Sequence, residues 1–172
     1  MHIFLTGDIQ VGKSTVIRKF LSMSGLSADG FMTYWEQDGA NARSLYLSSY
    51  SPGTPAVEKY LVARNTGKDF LPANVVDVFD VKGAAILEGS GKTDVIVMDE
   101  LGFLESKAIV FHEAVMRRIS GSVPVIGVIK PVRTDWLDTI RAHPGVEVHI
   151  VTIENRDDVL KELLDHQTGR CA

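Results

Sequence analysis

The 172-residue sequence predicts an α/β fold: a mostly parallel sheet with helices on both faces and an antiparallel β insert at one edge. Three observations support this. From about residue 75 onward, short apolar runs alternate with stretches of helical period, the pattern of parallel strands joined by crossover helices. At the start of the chain a strand-like run, a glycine-containing loop and a helical stretch follow one another without a break. Between these two regions, residues 30–63 are too rich in aromatic and β-type residues to form one crossover helix. The length suits a single domain, 1–172, that includes the insert.

In order, Met1–Leu5 is a short apolar strand, and Lys13–Ser24 is a helix that turns Val16, Ile17, Phe20 and Leu21 inward. Ser24-Gly25 stops it. Gly30–Glu36 and Arg43–Tyr50 form a hairpin about the turn-like Asp38–Ala42, and Glu58–Ala63 continues it after a break at Ser51–Pro55. Val76–Leu87 is expected to be helical despite Gly83, ending near Gly89-Ser90-Gly91. Asp94–Asp99 is a strand, and Glu105–Ile119 a helix with Ala108, Ile109, His112, Val115, Met116 and Ile119 at core spacing. Pro124–Ile129 is a buried strand, Thr134–Ala142 a short helix and Val146–Thr152 a strand. Asn155 is then expected to cap a last helix, with Val159, Leu160, Leu163 and Leu164 facing inward.

Composition narrows the functions. A net charge of −4 gives no sign of a nucleic-acid surface. The single cysteine, Cys171, rules out an intrachain disulfide and a cysteine-rich metal site, and its position suggests a frayed tail. No apolar stretch is long enough to span a bilayer. The apolar run at the N-terminus lacks the basic region of a secretory leader, so a cytoplasmic protein is expected.

Gly7 to Ser14 reads G-x-x-x-x-G-K-S, the Walker A phosphate-binding pattern, and it lies between the predicted strand and helix as that motif requires. Glycines let successive backbone N–H groups converge on one anion, and the helix behind them adds its free amides and positive dipole end. Gly7, Asp8, Ile9, Gln10, Val11, Gly12, Lys13, Ser14 and Thr15 are therefore the expected nucleotide-binding residues. Lys13 serves the β- and γ-phosphates, and the Ser14 hydroxyl is placed to ligate Mg²⁺.

The four apolar residues Val95–Met98 lead into Asp99-Glu100, the Walker B pattern. An acid at the carboxyl end of a buried strand can reach the metal held by Ser14, so Asp99 is the second expected Mg²⁺ ligand. Glu100 is placed to orient and deprotonate an attacking water. Asp99-Glu100-Leu101-Gly102 also satisfies D-x-x-G, but no N-K-x-D or T-K-x-D tetrad follows, so guanine specificity has no support. Positive charge for the transition state could come from Arg117, Arg118, Arg133, Arg141 or Arg156; Arg133, in the connection after the Pro124–Ile129 strand, is the best placed. His112 falls on an apolar helix face and is expected to be packed there, and His2, His143, His149 and His166 show no ligand spacing.

Three stretches in this order, Gly7–Ser14, Asp99-Glu100-Leu101-Gly102-x-x-Glu105 and Val151-Thr152-Ile153-Glu154-Asn155-Arg156-Asp157, resemble the small P-loop nucleoside-triphosphatase family of the cancer-related nucleoside-triphosphatase type. The resemblance covers essentially the whole chain. It implies Mg²⁺-dependent hydrolysis of several nucleoside triphosphates on a P-loop NTPase fold akin to nucleotide kinases. It assigns Lys13 and Ser14 to phosphate and metal, and Asp99 and Glu100 to metal and water. Gly30-Phe31-Met32-Thr33 matches a family strand, whereas Tyr34-Trp35 beyond it departs.

The leading expectation is a phosphohydrolase converting a nucleoside triphosphate (ATP, GTP or another) and water to the diphosphate and phosphate, with Lys13, Glu100 and Arg133 as the catalytic set. One alternative is a nucleotide or small-molecule kinase, which needs an acceptor pocket and an arginine-bearing lid; no compact lid segment is apparent. The other is a nucleotide-binding switch or assembly module with negligible turnover, docking an unknown protein partner through Phe31, Tyr34, Trp35, Tyr46 and Tyr50. Those aromatics serve equally as hairpin core or as a stacking surface.

Overall fold

A computed structural model describes residues 1–51 and 58–168. The predicted break over residues 52–55 and the tail cysteine Cys171 lie outside the described residues.

The strands are β1 (His2–Thr6), β2 (Ala28–Gln37), β3 (Arg43–Ser49), β4 (Lys59–Asn65), β5 (Phe70–Pro72), β6 (Val95–Leu101), β7 (Val125–Ile129) and β8 (Val146–Ile150). They form one sheet in the order β5-β4-β3-β2-β6-β7-β1-β8. From β2 through β8 every pairing is parallel, whereas β2, β3, β4 and β5 pair antiparallel, so the insert extends one edge of the main sheet as expected. β5 has no counterpart in the sequence reading, because Phe70, Leu71 and Pro72 are exposed and carry no alternating pattern.

The helices are α1 (Lys13–Ser24), α2 (Val75–Asp77), α3 (Ala84–Gly89), α4 (Ile109–Ile119), α5 (Asp135–Arg141) and α6 (Arg156–Thr168), with a π-helical segment, Val78–Gly83, joining α2 to α3. Gly83 is explained by packing: a Cβ there would lie 2.9 Å from the Phe111 ring. Thr134 caps α5, its Oγ1 accepting the Leu137 amide at 3.2 Å.

α1 and α6 cover one sheet face, burying Val16, Ile17, Phe20, Leu21, Val159, Leu160 and Leu163 against Leu5, Val97 and Val128. The opposite face buries Phe4, Phe31 and Met98 against Phe79, Leu87, Phe111, Val115 and Leu137.

Two expectations are corrected. α4 begins at Ile109 rather than Glu105, and its buried face is Phe111, Ala114, Val115 and Ile119, while Ile109 is 62% exposed. The helical period is present in the sequence, but residues 103–107 form turns that displace its start. Asn155 does precede α6, yet its recorded side-chain bonds run backward: Oδ1 accepts the Thr152 amide at 2.7 Å and Nδ2 donates to Ile150 O at 2.9 Å. It therefore folds the turn after β8.

Candidate active site

The carboxyl ends of the parallel strands meet at one edge, where the residues with phosphate-binding and acid–base chemistry collect. β1 ends at Thr6 and the chain turns through Gly7–Gly12 into α1. This turn requires left-handed backbone at Gly12 (φ 100°) and at Gln10 (φ 64°), and Gly7 has φ 137°. A side chain on Gly7 would stand 2.2 Å from Val151 O, because the turn after β8 lies directly against the loop. Val11 is buried in the α1 core cluster, while Asp8, Ile9 and Gln10 are exposed. Gly12 offers α1 no side-chain cap, and no acid occupies the first turn, so its first amides are left for a ligand.

Lys13 Nζ donates to Gly7 O (2.9 Å) and Asp8 O (2.6 Å), which holds the ammonium over the loop. Burial lowers its pKa, and the charges of Glu100, Asp99 and Asp8 oppose that shift. Thr15 lies exposed in the first turn and accepts from Arg18 Nη2 at 3.3 Å.

Asp99 and Glu100 sit at the tip of β6. Asp99 pairs in register with Val128 of β7, but the register then slips, so Glu100 bulges out before Leu101 pairs with Ile129. A bulge re-aims a side chain that regular alternation would send into the core. The Asp99–Glu100 peptide is cis. Thr33 Oγ1, on neighbouring β2, accepts the Glu100 amide at 3.3 Å.

Asp99 is 8% exposed. Burial raises its pKa to about 6 and the Glu100 charge adds to the rise, while a hydrogen bond from Ser14 and the Lys13 charge oppose it. A buried carboxylate hydrogen-bonded to a hydroxyl at the loop is an oxygen donor pair that a hard cation would suit, and the cation would relieve the cost of the buried charge. Among the described residues no group of three or more His, Cys, Asp or Glu could hold a metal. A two-oxygen site fits a cation that takes its remaining ligands from phosphate and water, the habit of Mg²⁺.

Glu100 is partnered across the strand tips by Lys130, which directly follows β7: Nζ to Oε1 is 3.0 Å. Behind this pair lies Glu105, only 2% exposed. Its Oε1 accepts the Gly102 amide. Burial pushes its carboxyl up to about 7, against the Gly102 and Glu105 backbone amides and the Lys130 charge. Glu105 thus ties down the turn that leaves Glu100. Its carbonyl bonds His112 Nε2 at 2.8 Å, and His112 stacks on Trp136 with ring centroids 3.6 Å apart, packed as expected.

The arginines are distributed differently from the sequence reading. The Arg133 side chain is 80% exposed, and its Nε bonds Asp138 of α5 at 3.1 Å, so the structure does not bring it to the loop. Arg117 pairs with Glu88, Arg118 bonds the Leu87 carbonyl, and Arg141 pairs with Asp138. Arg156, at the start of α6, does reach the loop, with Cδ and Nη1 each 3.6 Å from the Cβ position of Gly12. The cation beside Glu100 is Lys130, which no local motif marks. The aromatic insert divides: Phe31 and Tyr50 are buried, Tyr34 and Tyr46 pair across strands, and Trp35 is 39% exposed beneath Arg43.

The chain is similar to known proteins along nearly its whole length. A family model described as NTPase matches residues 2–164. The nucleoside-triphosphatase THEP1 of Thermotoga petrophila is 30% identical, the match covering 95% of this chain and 91% of the relative. The cancer-related nucleoside-triphosphatase homolog of Bos taurus is also 30% identical, over 96% and 95%. The solution structure of a human cancer-related nucleoside triphosphatase superposes with a TM-score of 0.72 at 26% identity, covering 98% of this chain and 97% of that one. The crystal structure of THEP1 from Aquifex aeolicus shares the fold with a TM-score of 0.72 at 23% identity, over 96% and 98%.

Proposed function

The chain belongs to this nucleoside-triphosphatase family, and from that premise we propose that Glu100 is the base that activates water in its hydrolysis of a nucleoside triphosphate to the diphosphate and phosphate. The observation that carries the proposal is the bulge at Glu100, which turns a carboxylate out beside the buried Asp99–Ser14 pair and opposite Lys130. The loop amides and Lys13 bind the phosphate chain and leave its last phosphorus toward the tips of β6 and β7. Glu100 accepts a proton from water as the water oxygen bonds that phosphorus and the bridging oxygen leaves with the diphosphate. Lys130 takes the role first expected of Arg133: it orients Glu100 and places positive charge beside the phosphoryl oxygens as they gain charge.

Ser14 and Asp99 are the residues we propose to hold Mg²⁺, which when bound supplies charge neutralisation at the β- and γ-oxygens. We further propose breadth in nucleobase, since the chain carries no base-specifying N-K-x-D tetrad. Phosphate release from ATP, GTP, CTP and UTP, in Mg²⁺ and in excess chelator, with and without nucleoside acceptors, tests this reading. The expected result is release from all four, lost in chelator and indifferent to acceptors. Transfer of phosphate to an acceptor, or turnover of one nucleotide alone, would contradict it.

A further inference from the structure

The turn after β8 is built to hold a side chain over the phosphate loop. Asn155 pins it from both sides, accepting the Thr152 amide and donating to Ile150 O, while Thr152 Oγ1 accepts the Asn155 amide at 3.2 Å. Val151 N donates to Thr6 O at 2.7 Å, tying the turn to the end of β1. Arg156 emerges from this turn with its guanidinium over Gly12. It is exposed, and among the described residues no carboxylate pairs with it, unlike Arg117, Arg133 and Arg141.

Sheet order decides which end of a nucleotide it meets. In the series β6-β7-β1-β8, Asp99, Glu100 and Lys130 stand on one side of the loop that follows β1, and Arg156 stands on the other. A triphosphate with its terminal phosphate toward Glu100 therefore extends its nucleoside toward Arg156. Ile153, on the same turn, is an exposed apolar side chain. A planar guanidinium stacks on the π-face of any base, and every base has such a face, so recognition of this kind ignores the base edge.

We propose that Arg156 binds the nucleoside end of the substrate by stacking its guanidinium on the base. This rests on the phosphate orientation given under Proposed function and supplies a physical reason for breadth in nucleobase.

Calorimetric titration of ADP, GDP, CDP, UDP and inorganic pyrophosphate, each with Mg²⁺, into wild type, Arg156→Ala and Arg156→Lys tests it. Both variants are expected to weaken all four diphosphates on the order of tenfold, because lysine keeps the charge but loses the plane. Pyrophosphate, which has no base, should bind all three proteins alike and so report an intact loop. Equal weakening of pyrophosphate, wild-type affinity in Arg156→Lys, or no effect in Arg156→Ala would each overturn the proposal while leaving NTP hydrolysis standing. Wild-type protein that binds pyrophosphate and diphosphates equally well would overturn it too, and failure to bind either would remove the phosphate-site reading beneath it.

Discussion

Lys130 Nζ lies 3.0 Å from Glu100 Oε1, so the residue after β7 holds the acid at the tip of β6. The two are neighbours because β7 pairs directly with β6, so the residue that follows β7 lies beside the strand tip that carries the acid.

Removal of that cation is expected to affect turnover more than affinity. Lys130→Ala should lower kcat on the order of a hundredfold, the scale seen when a preorganised electrostatic partner is removed. Arg133→Ala should have much the smaller effect, its guanidinium being exposed and committed to Asp138. Steady-state phosphate release by the two variants checks this. The reverse ranking would restore Arg133 to the site.

Glu105 predicts a pH dependence of stability. Its carboxyl is raised from 4.5 to about 7 in the folded protein, so between these values the folded state keeps a proton that the unfolded state has lost. This contribution is complete below the unfolded value and declines as pH rises through the window, by up to about 3 kcal/mol for a difference of one bound proton. Glu105→Gln keeps an oxygen acceptor for the Gly102 amide but cannot ionise. Thermal melts from about pH 5 to about pH 8 should show a shallower loss of stability in the variant than in wild type. Parallel curves would show that Glu105 titrates normally.

The parts of the site carried by contiguous residues were legible in the sequence. Gly7–Ser14 declares itself because the loop, its lysine and its helix start are adjacent in the chain, and Asp99-Glu100 because four apolar residues precede two acids. Lys130 was not legible: its partnership with Glu100 depends on strand order, which no local pattern encodes. The sequence predicts Glu105 as the first residue of a helix because the apolar period extends back toward it, whereas the chain there turns and buries the carboxyl. In the sequence Arg156 is one of several arginines, and only the turn pinned by Asn155 brings it to Gly12.

Backbone contact between the loop and the turn after β8 predicts that Gly7 tolerates no side chain. Gly7→Ala would set a methyl 2.2 Å from Val151 O at a φ of 137°. The positive φ alone costs on the order of 1–3 kcal/mol, and the clash must move one of the two segments. Both a lower melting temperature and loss of nucleotide binding are expected. Normal binding in a folded Gly7→Ala protein would mean that the two segments can separate.

Asp99 and Ser14 are the proposed metal ligands, so their loss should appear in the metal requirement. Asp99→Asn is expected to raise the Mg²⁺ concentration for half-maximal activity by about tenfold or more, as read from Mg²⁺ titrations of phosphate release. An unchanged midpoint would place the metal elsewhere.

The proposed hydrolysis depends on Glu100 acting on water. Single-turnover hydrolysis and nucleotide binding, measured together in wild type and Glu100→Gln, test this most directly. The predicted result is a fall in the hydrolytic rate on the order of 10²–10⁴-fold with nucleotide still bound at near wild-type affinity. A Glu100→Gln protein that hydrolyses at the wild-type rate would contradict it.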